Sequence, residues 1–229
     1  MFTRATVIGT AVAVIATGGL AAAAVARSQS LPDGGWSPVG GVKSQPVVKK
    51  PATAQPKPVD KVPALQAAQV RYERQSWDDP TVRAYISIFA PAGWKMVKLS
   101  PLEAKFTSPN GLWNLRLNAV EPDQLVKAAA DNRYAVINAS VEDFHLISRT
   151  VGSTRATNSN YQGTVFHHQT LTYTYTDPSR GPRLVIDRLV SLGTNLHVLF
   201  EATAGGRPQD AAALAAVTAK ATENFVRLP

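Results

Sequence analysis

From Trp113 to Ala119 the chain alternates, with Trp113, Leu115, Leu117 and Ala119 separated by Asn114, Arg116 and Asn118. A period of two is that of a β-strand, and here it predicts one buried and one polar face. Tyr85 to Pro91 and Glu103 to Ser108 read as shorter strands, the second followed by the hairpin turn Pro109-Asn110-Gly111. The most strand-rich stretch runs from Gly163 to Ala204. Val165 to Asp177 is dense in Thr and Tyr, Arg183 to Leu192 in aliphatic residues, and Leu196 to Ala204 returns after Gly193-Thr194-Asn195. The turn Asp177-Pro178-Ser179-Arg180-Gly181-Pro182 links the first two, so the three strands predict an antiparallel meander. Phe144 to Thr150 is a further strand, followed by a polar loop from Gly152 to Tyr161.

Two segments carry helical spacing instead. Glu121-Pro122-Asp123 suits a helix start, and Leu125, Ala129, Asn132 and Val136 form its stripe. Arg207-Pro208-Gln209-Asp210 opens a second, with Leu214, Val217, Ala221 and Phe225 on its apolar face. A weaker stripe, Leu65, Ala68, Tyr72 and Gln75, predicts a short helix over 64–76 that ends at Trp77-Asp78-Asp79-Pro80. The resulting order is β-β-β-α-β-β-β-β-α, one α+β domain over 81–229.

The N-terminal part differs in kind. Ala5 to Ala26 holds no charged residue and lies between Arg4 and Arg27. It is long enough to cross a bilayer. Two readings of 1–27 stand side by side: a signal peptide cut after Ala24-Val25-Ala26, or a retained membrane anchor. Both put the body of the protein outside the cytoplasm. Residues 28–80 form a linker whose prolines, Pro32, Pro38, Pro46, Pro51, Pro56, Pro58 and Pro63, favour extended polyproline II. At about 3.1 Å per residue, 28–63 reach on the order of 110 Å, a spacer length.

Composition narrows the chemistry. There is no Cys, which excludes disulfides, thiolate metal sites, Cys nucleophiles and a lipid-modified N-terminal Cys. The net charge of +8 is diffuse, its longest basic run being Lys49-Lys50. A nucleic-acid binder concentrates such charge on one face, so no nucleic-acid partner is expected.

Phe89-Ala90-Pro91-Ala92-Gly93-Trp94, together with this element order and a final helix leading to Phe225, resembles the Mog1/PsbP/LpqN group, above all its exported bacterial LpqN-like members. The resemblance covers roughly Arg83 to Leu228. It implies an α/β/α sandwich around a twisted, mainly antiparallel sheet. It also implies an accessory, assembly or binding role without shared catalytic machinery. One departure stands out: LpqN-type lipoproteins carry a lipobox Cys, which this chain lacks, so lipid anchoring does not carry over.

Residue by residue, the chemistry is sparse. His167 and His168 are neighbours on a strand and point to opposite faces, so they cannot chelate one ion together. His145 and His197 belong to other segments, and no metal site is expected. No G-x-S-x-G elbow, Walker loop or G-x-G-x-x-G is present, so neither a nucleophile motif nor a cofactor is expected. Arg188 stands out because it shares its alternation with Leu184, Ile186, Val190 and Leu192. A charge on an apolar face is either a snorkelling or ion-paired Arg at a sheet edge, or a contact for an anion or partner. Trp94 and Trp113 are core residues or the walls of a ligand groove. Thr170, Thr172, Thr174 and Thr176 share one face and predict a solvated sheet surface. With His168, Arg188, Trp94 and Trp113 are the candidate contacts. The expected function is that of a non-enzymatic envelope accessory protein, secreted or held at the inner membrane, that docks a protein partner or envelope component. The alternatives are a small-ligand carrier with a groove between sheet and helix and, behind it, a hydrolase.

Overall fold

The structure is a computed structural model that describes residues 61–120 and 122–228. The leader or anchor expected over 1–27 and all but the last few residues of the Pro-rich stretch lie outside those residues. Among the described residues, ten strands and two α-helices make an α+β fold in which every strand pairing is antiparallel. In chain order they are β1 (Tyr72–Asp79), β2 (Ala84–Pro91), β3 (Lys95–Ser100), β4 (Glu103–Thr107), β5 (Asn114–Asn118), α1 (Val126–Ser140), β6 (Glu142–Arg155), β7 (Val165–Asp177), β8 (Gly181–Leu192), β9 (Phe200–Gly206), α2 (Ala211–Glu223) and β10 (Val226–Leu228). A seven-stranded sheet has the order β3-β4-β5-β9-β8-β7-β6, and a three-stranded sheet the order β1-β2-β10.

The meander forms as its turns dictate. Asp177 caps the β7–β8 turn by accepting from the backbone N–H groups of Ser179 and Arg180, both at 2.8 Å. Register then decides the faces of the large sheet. Leu184, Ile186, Arg188 and Val190 of β8 stand beside Ala202 and Ala204 of β9 and Leu115 and Leu117 of β5. This face meets α2 and the small sheet. Its core holds Trp77, Ile86, Ile88, Phe106, Phe166, Phe200, Leu214 and Phe225, with Phe225 stacked on Phe200 at 3.9 Å. The other face carries Leu171, Tyr173, Val185 and Leu189 and meets Val126, Ala129, Ala130 and Ile137 of α1. Helices therefore cover both faces of the sheet.

Four expectations need correction. The stretch 64–76 is not a helix: its second half belongs to β1, which runs antiparallel to all of β2. Asp78-Asp79-Pro80 ends that strand and leads into the hairpin turn, where Asp79 accepts from the Thr81 N–H at 3.0 Å. The body thus includes residues before Thr81: β1 pairs with β2, and Leu65 N–H already donates to Asp210 Oδ1 at 2.8 Å. Second, β5 has no polar outer face. Asn114, Arg116 and Asn118 are all buried, because β5 is an inner strand and its polar side chains meet Glu103 and Glu201 on the α1 side. Third, the stripe of α1 is turned by one residue, with Leu125 and Val136 exposed and Val126, Arg133 and Ile137 buried. Fourth, the loop expected from Gly152 begins after Arg155, because β6 runs fourteen residues.

Candidate functional site

The polar groups that the sequence scatters along the chain gather in two places, one on each face of the large sheet. Under α1 lies a sealed charge cluster. Arg133 projects from the buried side of the helix and its Nε donates to Asp187 Oδ2 at 2.6 Å. Thr203 Oγ1 donates to the other Asp187 oxygen at 3.0 Å, and Arg133 Nη2 lies 3.4 Å from Glu201 Oε1. Arg116 Nε donates to Glu103 at the rim of the same face. Burial, reinforced by the neighbouring Asp187 carboxylate, pushes the Glu201 carboxyl well above the usual carboxylate range. Burial alone would lower the Arg133 guanidinium; the Asp187 carboxylate outweighs it and holds the charge in place. Arg133 is 4% exposed and Asp187 is fully buried, so no substrate reaches them. This cluster pins α1 to the sheet.

The opposite face, on β6, β7 and β8, is different. His168, Thr170, Thr172 and Thr174 of β7 stand beside Val190, Arg188, Ile186 and Leu184 of β8. Arg188 Nε donates to Thr170 Oγ1 at 3.0 Å. The side chain is half-buried, and no carboxylate among the described residues pairs with it. Burial lowers its pKa, the mark of a cation partly stripped of water. β8 lies between β7 and β9, so Arg188 stands on an inner strand and not at a sheet edge.

His168 lies beside it. The imidazole packs over Gly152 of β6, where a Cβ would come within 2.7 Å of its Cε1, so glycine makes room for the ring. Nε2 lies 3.2 Å from Thr154 Oγ1, and Nδ1 is buried without a hydrogen-bond partner among the described residues. Burial first, and the Arg188 charge second, push the imidazole down to about 4, so it is neutral at physiological pH. Arg188 is thus a half-buried cation without a carboxylate partner among the described residues, set over a hydroxyl-lined floor, an arrangement complementary in charge to an anionic group. Of the four threonines, Thr170 is buried and the other three are half-buried, so the floor is less solvated than its alternation suggests.

Trp94 and Trp113 are not part of this site. Trp94 is 8% exposed in the main core, delivered there by a turn in which Gly93 takes φ +76°. Trp113 is half-buried at another corner, its indole N–H donating to Asp210 Oδ2 at 2.7 Å beneath the Arg207 guanidinium. The histidines are dispersed. His145 and His167 are exposed, and His197 Nδ1 lies 3.0 Å from Asp123 Oδ1. That pair borders a cleft of about 520 Å³ lined also by Pro122, Leu192, Asn195 and Leu199. The sequence singled out Arg188 and His168 but not their adjacency, and it offered no signal for Arg133, whose helix position reads as solvated.

No family model matches the chain, and no curated protein matches it. Solved structures do match. One is the 1.9 Å crystal structure of the Ran-binding protein Mog1p of Saccharomyces cerevisiae, at 9% identity and a TM-score of 0.42, over 68% of this chain and 96% of that one. At this identity and score the match assigns no role to this chain.

Proposed function

We propose that this chain is a non-enzymatic accessory protein of the cell envelope, secreted or held at the inner membrane by its N-terminal segment, that docks a protein partner on the Arg188 face. Arg188 carries this reading: a half-buried guanidinium with no carboxylate partner among the described residues is a costly feature to keep, and an acidic side chain of a partner would offset that cost through a bidentate ion pair. The uncharged stretch Ala5 to Ala26 and the prolines over 28–63 support export and a spacer that carries the domain away from the membrane. The likeness to exported LpqN-like proteins agrees with that location.

The carrier reading keeps one observation in its favour, the cleft beside His197 and Asp123, whose volume is in the range of small-ligand pockets. It lies at the loop before α1, away from both tryptophans. To separate the two readings, the full chain and its Arg188→Met variant are used to capture proteins from an envelope extract, with melting curves to show that both fold. Docking predicts a partner retained by the native chain and lost from the variant. Identical captures on both would contradict it.

A further inference from the structure

β6 ends the order of the large sheet and pairs only with β7, so among the described residues its outer edge has no partner strand. Natural sheets protect such edges because unpaired N–H and C=O groups invite another strand. This edge is long, fourteen residues, and it is not polar throughout. Ile147 is 51% exposed and Val151 78%, the latter the most exposed large aliphatic among the described residues.

The charges along the strand indicate what pairs there. Glu142 and Asp143 lie at its start and Arg155 at its end, all three exposed and none with an ion pair or side-chain hydrogen bond among the described residues. Between them, Ile147 and Val151 are placed symmetrically about Arg149. The Arg149 charge is already met by Asp131 Oδ1 at 2.5 Å, and its Nη2 donates to Gln169 Oε1 at 2.8 Å. A strand with acids at one end, a base at the other and aliphatics in the middle is complementary to itself when reversed. We propose that two copies of this chain pair antiparallel through β6, setting Ile147 against Val151 of the second copy and Arg155 against the acids of the second copy. An isologous contact of this kind closes on itself and joins two seven-stranded sheets into one of fourteen strands. A parallel arrangement would bring like charges together at both ends. The irregularities of β6 between Glu142 and His145 and between Leu146 and Ser148 each lie, in this register, opposite the regular half, Ser148 to Arg155, of the second copy, so no two bulges meet and the charges add selectivity.

The proposal is independent of the Arg188 site, which lies in the face of the sheet. Sedimentation equilibrium of the purified full chain in mild detergent tests it, with variants Val151→Lys, Glu142→Arg, Arg155→Glu and the double exchange Glu142→Arg/Arg155→Glu. Glu142 is used because Asp143 has φ +52°, where a long side chain would be strained. The native chain should sediment at twice the protomer mass. Val151→Lys and each single charge exchange should shift it toward the protomer mass, and the double exchange should restore the dimer. Melting curves show whether each variant folds; an unfolded variant is replaced by Val151→Thr, which should also weaken the dimer. A native chain that stays a protomer at all concentrations overturns the proposal. So does a dimer indifferent to Val151→Lys, or one that the double exchange does not restore.

Discussion

Two arginines on opposite faces of one sheet show how the partner decides the role. Arg133 is almost wholly buried, and Asp187 and Thr203 close its hydrogen-bond network. Arg188 is half-buried and meets a single hydroxyl. The first is a structural pin: truncating it would leave Asp187 uncompensated, a loss typically of about 3–5 kcal/mol. The second leaves a charge for something else to satisfy. Glu201 offers a test of the buried cluster that does not break it. In the folded protein its carboxyl is held well above the usual carboxylate range, whereas in the unfolded chain it ionises near its ordinary value of about 4.3. Unfolding therefore releases a proton above that pH, and stability falls as pH rises from there toward the folded value. In Glu201→Gln the amide donates to Asp187 at every pH, so the variant should gain on the native chain in urea midpoint between pH 5 and pH 8. A difference that does not change with pH would place an ionised Glu201 in the cluster.

At the scale of the element, α1 shows where pattern reading succeeds and where it fails. Its existence is legible from spacing and from the acids and proline before it. Its orientation is not, because an apolar stripe passes through Asn132 and Val136, while the real interface is centred on Arg133 and Ile137. No count of hydrophobic residues assigns an arginine to a core; only Asp187 and Glu201, more than fifty residues away in sequence, make that position tolerable. Ile137→Ala should thus cost about 2–4 kcal/mol in denaturant unfolding and Val136→Ala less than about 1; equal losses would return the helix to the stripe of its spacing. The same physics hid the second face of β5, whose Arg116 is matched by Glu103 on the neighbouring strand. The meander from Val165 to Gly206 was readable because its turns are chemically explicit. β1 was not, since Tyr72 to Trp77 satisfies a loose helical spacing as well as a strand, and only pairing with β2 decides.

At the scale of the molecule, the described residues form a two-sheet body with a sealed ionic cluster under one helix and, on the other face, a cation without a carboxylate partner among those residues. The sequence located that cation correctly on the apolar face of its strand, and it named His168. It did not bring the two together, because the register of β7 against β8 is a tertiary fact. The docking claim depends on that face being occupied in the cell. Thr172, half-buried on the same face and directly across from Ile186, is the position from which to see it. A photoreactive residue placed there, in the full chain expressed in its native host, should cross-link to one protein, and the product should vanish when Arg188→Met is added while the amount of folded protein is unchanged. No cross-link, or the same cross-link with and without Arg188, would contradict the claim that this face is where the chain docks its partner.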